Sequence, residues 1–217
     1  MPASIRRAFA GAIALVAWLG LAVQLRATMG LTGSFAEALW VMLRYFTIIT
    51  NLLVAIVMTA VALRRSRSAE PFPIGFVTLS ILLVGVVYMT LLRGVVELSG
   101  GALLADTLLH KVTPLLTALF WLACAPKGTL RWRDPVAWSV FPLAYFVYAL
   151  LRGSAEGKYA YPFIDLAALG PVQVGINAIG IAAAFLIAGA LFVWLDRALA
   201  RGPGAGYEAS QSSDRQD

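Results

Sequence analysis

The sequence contains very few of the residues on which disulfide, metal and redox sites depend. Among its 217 residues there is one cysteine, Cys124, and one histidine, His110. A single cysteine excludes an intramolecular disulfide, a metal site built only of thiolates and an iron–sulfur cluster. A single histidine excludes the paired axial histidines of a membrane cytochrome. We therefore expect no metal site and no redox cofactor.

Charged residues are also scarce, at 13% of the chain, whereas 60% of the residues are hydrophobic. A soluble domain of this length needs far more charged surface, and apolar runs of about 20 residues, each able to cross a bilayer, fill most of the sequence. The net charge of +6 would suit a nucleic-acid-binding protein, but the cations lie in the short connections between the apolar runs. We interpret them as topology signals, and expect membrane lipids rather than nucleic acid as partners.

The apolar runs predict an all-α membrane protein, a six-transmembrane-helix bundle made of three helical hairpins. The first run is too long for a signal peptide and has no convincing cleavage site, so we count it as a helix. We assign residues 1–200 to one transmembrane domain and expect the Gly-, Ser- and charge-rich stretch 201–217 to be a disordered cytoplasmic tail. The predicted spans are Ala8–Leu25, Leu39–Leu63, Ile74–Leu92, Ala105–Ala125, Pro135–Leu151 and Val172–Leu195.

Positive charges fall on alternate connections of this predicted bundle. Eleven lie before the first span and after the second, fourth and sixth, against four in the other connections. The positive-inside rule then places both termini in the cytoplasm, and we predict a multi-pass protein of the cell inner membrane. The eleven are Arg6, Arg7, Arg64, Arg65, Arg67, Lys127, Arg131, Arg133, Arg197, Arg201 and Arg215.

Polar side chains at membrane depth are costly, so their positions carry information. Arg44, Thr47 and Asn51 share one face of the second span, and Asp106 and His110 lie one turn apart on the fourth. At 1.5 Å per residue, Thr47 lies on the order of 12 Å along its span and His110 on the order of 8 Å along its own. We therefore expect the two to face one another across a polar-lined pocket in the outer half of the bundle.

Other polar residues of the outer half have simple structural explanations. Membrane threonines usually bond the carbonyl one turn earlier, and lysine and arginine extend their side chains to the interface. The residues to which we apply such explanations are Thr50, Thr113, Thr117, Arg44 and Lys111, with Trp40, Tyr159 and Tyr161 in an interfacial aromatic belt. His110 differs from these, because an ionisable residue within a span is by default a functional candidate, and Asp106 can fix its tautomer.

Three segments carry a family resemblance that covers nearly all of the membrane region. Arg44–Asn51, Leu109–Leu116 and Tyr161–Asp165 resemble a bacterial six-transmembrane family that is distantly similar to the eukaryotic androgen-induced-gene proteins. Those eukaryotic relatives are intramembrane threonine hydrolases that cleave fatty-acid esters of hydroxy fatty acids. By this resemblance, Thr47 matches their threonine. His110 matches their histidine, although it lies one residue closer to the following proline.

The resemblance implies acyl transfer from a lipophilic ester to water, with no cofactor. Thr47 would attack the ester carbonyl while His110 accepts its proton, because a hydroxyl is a weak nucleophile without an adjacent base. Asp106 is our candidate for orienting His110. The candidate substrate-binding residues are Asn51, Arg44 and Tyr148 as oxyanion donors, with Arg93 and Arg152 for a substrate carboxylate.

Two other functions fit the same residues. A small transporter or a lipid- or anion-binding membrane protein would use Arg44, His110 and Asp106 to bind a solute and relay protons. Two features argue against transport. Six helices without a visible repeat are few for a transporter that works by alternating access, and the inner half of the bundle offers no polar exit path. A membrane scaffold is the third possibility, although the short loops leave little surface for soluble partners.

Overall fold

The computed structural model describes residues 2–63, 71–94 and 97–200. The tail 201–217 and the cations Arg64, Arg65 and Arg67 lie outside these residues. Within them the chain is all-helical, as predicted. The elements are α1 (Ala3–Thr32), α2 (Phe35–Met42), α3 (Phe46–Leu63), α4 (Pro71–Val87) with a π-helical turn at Tyr88–Leu92, α5 (Gly100–Thr107), a second π-helical turn at Leu108–Val112, α6 (Thr113–Cys124), α7 (Asp134–Glu156), a 3-10 turn at Pro162–Ile164 and α8 (Leu166–Ala200).

Six helical segments in the described part of the chain are long and apolar enough to cross a membrane. α1, α3, α7 and α8 each form one span, α4 and its π turn form another, and α5 and α6 join through the second π turn into the remaining one. Large apolar side chains cover the outside of the bundle, as lipid contact requires. The predicted six-helix bundle of three hairpins is confirmed.

The second span differs from its predicted bounds because its helix is interrupted. The prediction joined Leu39 to Leu63, whereas α2 ends at Met42 and α3 begins at Phe46. Two tyrosine hydroxyls of α7 donate hydrogen bonds to the backbone at this break. Tyr148 donates to the Leu43 carbonyl at 3.1 Å, and Tyr145 donates to the Arg44 carbonyl at 2.7 Å. Backbone carbonyls that would be orphaned by the break are thereby satisfied.

The two helices that carry the candidate site are packed closely against α1. Gly20 of α1 is buried, and a Cβ added there would lie 2.7 Å from the side chain of Leu109. α1 also packs along α3 through small residues such as Ala10 and Ala17, neither of which is exposed. Small residues at such contacts allow close helix approach in membranes. α1 therefore holds α3 and the second π turn in a fixed relation.

Candidate active site

Thr47, His110 and Asp106 lie in one hydrogen-bonded line. The Thr47 hydroxyl oxygen is 3.2 Å from Nε2 of His110, and Nδ1 of the same imidazole is 3.0 Å from a carboxylate oxygen of Asp106. Nδ1 also hydrogen-bonds with the backbone carbonyl of Asp106 at 3.3 Å, and because a carboxylate and a carbonyl both accept, these contacts place the imidazole proton on Nδ1. The lone pair of Nε2 then faces the threonine hydroxyl. This is the arrangement of nucleophile, base and orienting carboxylate found in acyl-transfer enzymes.

Asp106 has two further partners that the sequence did not assign to the site. It is 6% exposed, and its second oxygen accepts a hydrogen bond from the Tyr88 hydroxyl at 2.6 Å. The ammonium of Lys111 lies 3.8 Å from the same oxygen, so this side chain does not simply extend to the interface. Tyr88 also stacks on the imidazole of His110, with ring centroids 4.3 Å apart. These contacts offset the cost of burying a carboxylate.

Thr47 lies in the first turn of α3. The Tyr45 carbonyl accepts the backbone N–H groups of Ile48 and Ile49, so Phe46 and Thr47 are the first two residues of the helix. The N–H groups of a first helical turn have no intrahelical acceptor. The nucleophile candidate therefore lies among backbone donors rather than in mid-helix, as the uninterrupted predicted span had implied.

The π turn that carries His110 follows from Pro114. In this turn the N–H of Thr113 donates to the Leu108 carbonyl, five residues back. The Leu109 carbonyl would be next in that pattern, but proline has no N–H to give it. The amide of Asn51 donates to this carbonyl at 3.2 Å instead. Turns of this kind are frequent at functional sites.

Both side-chain N–H groups of Asn51 join the helix that carries Thr47 to the turn that carries His110. The Asn51 amide nitrogen also donates to the Thr47 carbonyl at 2.9 Å, and the side chain is 0% exposed. One amide therefore connects the backbone of the nucleophile helix to the residue beside His110. The sequence suggested Asn51 as an oxyanion donor, whereas both of its N–H groups are engaged with backbone carbonyls.

Arg44 and Arg152, predicted to contact substrate, are instead both paired with Glu156. Arg152 bonds Glu156 at 2.7 Å, and Arg44 forms a second ion pair with the same carboxylate. Arg152 also bonds the Tyr148 hydroxyl and the Trp40 carbonyl, each at 2.7 Å. This cluster fixes α2 against α7 at the break before Thr47. The predicted contact of Arg44 and Arg152 with a substrate stays a prediction.

Arg93 is placed differently from the other two arginines. It follows the first π turn, its backbone N–H donates to the Tyr88 carbonyl at 2.8 Å, and its side chain is exposed. The preceding residue, Leu92, lines the cavity described next. Of the three arginines predicted to contact substrate, Arg93 alone is exposed among the described residues.

An apolar groove opens beside Thr47. It contains about 870 Å³ of empty space, part of which is open to the outside. The sequence predicted a polar-lined pocket, but His110, Asn51 and Tyr148 are not among the lining residues of this groove. The lining comes from α3, α4, α7, α8 and the loop before α8, and includes Phe46, Leu83, Val87, Pro142, Phe146, Ala178, Ala182 and Phe185.

The segment Tyr161–Asp165 folds inward over this groove. Asp165 accepts the N–H groups of Ala167 and Ala168 at 2.9 and 3.0 Å and so begins α8, and the Phe163 carbonyl accepts the Asn177 amide at 2.8 Å. Tyr161, expected in an interfacial belt, turns toward the site and lines the groove. The position of Tyr161 beside Thr47 was not predicted, because the local sequence pattern does not show whether a loop folds toward the bundle or away from it.

Comparison with known proteins adds no relative. The sequence matches no family model and no curated protein, and the structure matches no solved structure.

Proposed function

We propose that the protein is an intramembrane hydrolase that cleaves an ester of a lipophilic carboxylic acid. Thr47 is the nucleophile, His110 the general base and Asp106 the residue that orients it. The observation that carries the proposal is the 3.2 Å approach of the Thr47 hydroxyl to His110, whose other nitrogen is bound to a buried carboxylate. The resemblance to the threonine hydrolases supports the same assignment. We place the protein in the inner membrane with both termini in the cytoplasm.

The reaction proceeds in two acyl transfers. The Thr47 oxygen attacks the ester carbonyl carbon while Nε2 of His110 takes the hydroxyl proton, and the carbonyl electrons move onto its oxygen. The ester C–O bond then breaks, and His110 returns the proton to the departing alkoxide. Water attacks the acyl-threonine with His110 again as base. The acid is released and the Thr47 hydroxyl is restored.

The groove indicates the class of substrate. Its walls are apolar and aromatic, and Thr47 forms part of them, so a hydrocarbon chain lying there would bring an attached ester to the nucleophile. Arg93, which follows a groove residue and is exposed, is the candidate for a carboxylate at the other end of a substrate. Membrane lipids and a lipophilic small molecule are thus the expected partners.

The first test compares variants of the two reacting residues on a panel of long-chain esters. Purified Thr47→Ala and His110→Ala should each lose about 10³-fold or more in kcat, and the double variant should be no worse than either, because the two residues act as one unit. Thr47→Ser should keep part of the activity, since its hydroxyl remains. Wild-type turnover should fall as the pH is lowered, because a protonated imidazole cannot accept a proton.

The matched control is Thr59→Ala, in the same helix. The Thr59 hydroxyl donates to the Ala55 carbonyl at 2.6 Å and lies twelve residues beyond the nucleophile. This variant should turn over like the wild type. Unchanged turnover by Thr47→Ala would remove the proposed nucleophile. Lipid binding by the wild type without cleavage of any ester would instead favour a non-catalytic lipid-binding protein.

A further inference from the structure

Tyr161 is a second neighbour of the Thr47 hydroxyl, besides His110. Tyr161 lines the same groove as Thr47, and its phenol interacts with the side chain and backbone of Thr47, the backbone of Phe46 and the Tyr145 side chain. The ring is held on two sides, edge-on by Tyr45 with centroids 6.0 Å apart and face-on by Phe163 at 5.1 Å. A phenol fixed in this way meets the nucleophile in one orientation.

Attack by Thr47 creates a negative charge that needs donors. The charge develops on the carbonyl oxygen of the carbon that has just bonded to Thr47, so donors must lie beside the threonine, about 3 Å from that oxygen. Of the oxyanion donors predicted from the sequence, Asn51 is bonded to two carbonyls, Arg44 is paired with Glu156, and Tyr148 donates to the Leu43 carbonyl. The Asn51 N–H groups and the Tyr148 hydroxyl proton are therefore already donated, and the guanidinium of Arg44 is held by its ion pair with Glu156.

We propose that Tyr161 is a catalytic residue whose hydroxyl donates a hydrogen bond to the oxyanion of the tetrahedral intermediate. The inference rests on the proposed ester hydrolysis and completes the site with a residue from the loop before α8. No bond of Tyr161 is made or broken. Its proton stays on the phenol, and the hydrogen bond strengthens as charge builds on the substrate oxygen.

The surroundings of Tyr161 keep it in the form that can donate. Burial raises the pKa of this phenol above its ordinary value, and the polar contacts with Thr47, Tyr145 and Phe46 act in the opposite direction without reversing the shift. An unshifted phenol already has a pKa of about 10. Tyr161 therefore stays protonated at neutral pH.

The test is Tyr161→Phe, which removes one oxygen and retains the ring that packs between Tyr45 and Phe163. We expect kcat to fall about 10²–10³-fold, the effect of removing one oxyanion donor, while KM changes little. Affinity for a long-chain trifluoromethyl ketone, which forms a tetrahedral adduct with the threonine, should fall in parallel. Affinity for the matching ether, which develops no oxyanion, should stay the same.

Tyr159→Phe is the matched control. Tyr159 belongs to the same loop, and its hydroxyl lies 3.1 Å from the Ser154 hydroxyl, away from Thr47. It should leave kcat and both affinities unchanged. Wild-type kcat in Tyr161→Phe, or an equal loss of ketone and ether binding, would overturn the inference alone. A wild type that cleaves no ester would overturn the proposed function and this inference together.

Discussion

Asp106 shows what single residues contribute to the candidate site. An ionised carboxylate in a membrane interior is stable only with partners, and this one has His110, Tyr88 and Lys111. The Asp106–His110 pair was predictable, because residues four apart lie on one helical face. Tyr88 was not, because its contact depends on how the third span is rotated against the fourth.

The residue-scale prediction compares Asp106→Asn with Tyr88→Phe. An amide can donate to Nδ1 and so favour the tautomer in which Nε2 carries the proton, and we expect turnover to fall on the order of 10²–10⁴-fold. Tyr88→Phe keeps the ring stacked on His110 but removes a hydrogen bond to a charged group. It should lower the free energy of unfolding by about 1.5–3 kcal/mol and reduce turnover less.

Ester-hydrolysis kinetics and thermal unfolding in one detergent measure both effects. Glu37→Gln serves as the control, because this exposed carboxylate lies in the first turn of α2, away from the site. It should resemble the wild type in both assays. Wild-type turnover in Asp106→Asn would show that Asp106 does not orient the base.

At the scale of elements, two irregularities of the helices set the distance between Thr47 and His110. The break before α3 places Thr47 in a first turn, and the π turn before α6 places His110 opposite it. The sequence contains the cause of the second, since Pro114 deprives the π turn of a donor, yet a proline alone does not specify a π turn. Asn51 compensates by donating to both helices.

The element-scale prediction concerns that link. Asn51→Leu keeps a side chain of similar size and removes two side-chain hydrogen bonds, leaving the buried Leu109 carbonyl without a donor, so we expect a loss of about 1–3 kcal/mol in stability. Turnover should fall as well, because the Thr47–His110 distance is no longer held. Thermal unfolding and ester kinetics report the two losses separately.

The neighbouring residue provides the control for Asn51. Thr50 is equally buried, and its hydroxyl has no hydrogen-bond partner among the described residues. Thr50→Val removes a polar atom that makes no bond, so it should be neutral or slightly stabilising. If Asn51→Leu were as stable and as active as Thr50→Val, Asn51 would not link the two helices.

At the scale of the whole molecule, the fold was more predictable than the site. Apolar runs fix the number of spans, because length and composition decide whether a helix crosses a bilayer. Rotation about each helix axis decides which polar groups meet, and hydropathy says little about it. Where the sequence predicted a polar pocket, the structure has the hydrogen-bonded line of Thr47, His110 and Asp106 beside an apolar groove. Arg44 and Arg152 form ion pairs with Glu156.

The site belongs to one end of the bundle. Thr47 begins the second span, Tyr88 lies in the closing turn of the third, and Tyr161 lies between the fifth and sixth. These positions share the end at which the first span finishes, opposite the end at which α1 begins. The cation count of eleven to four predicts that this end faces away from the cytoplasm. The predicted substrate therefore approaches from the outer leaflet or the outer side.

Topology reporters test this orientation. Fusions after Arg67, after Arg133 and at the tail should give cytoplasmic signals, because these positions follow the second, fourth and sixth spans, where the cations concentrate. A fusion near Gly100 should give a periplasmic signal. Each site needs the paired reporter that is active only on the opposite side, so that poor expression is not mistaken for location. A periplasmic signal from the tail, with a cytoplasmic one near Gly100, would invert the bundle and place the Thr47–His110 pair toward the cytoplasm.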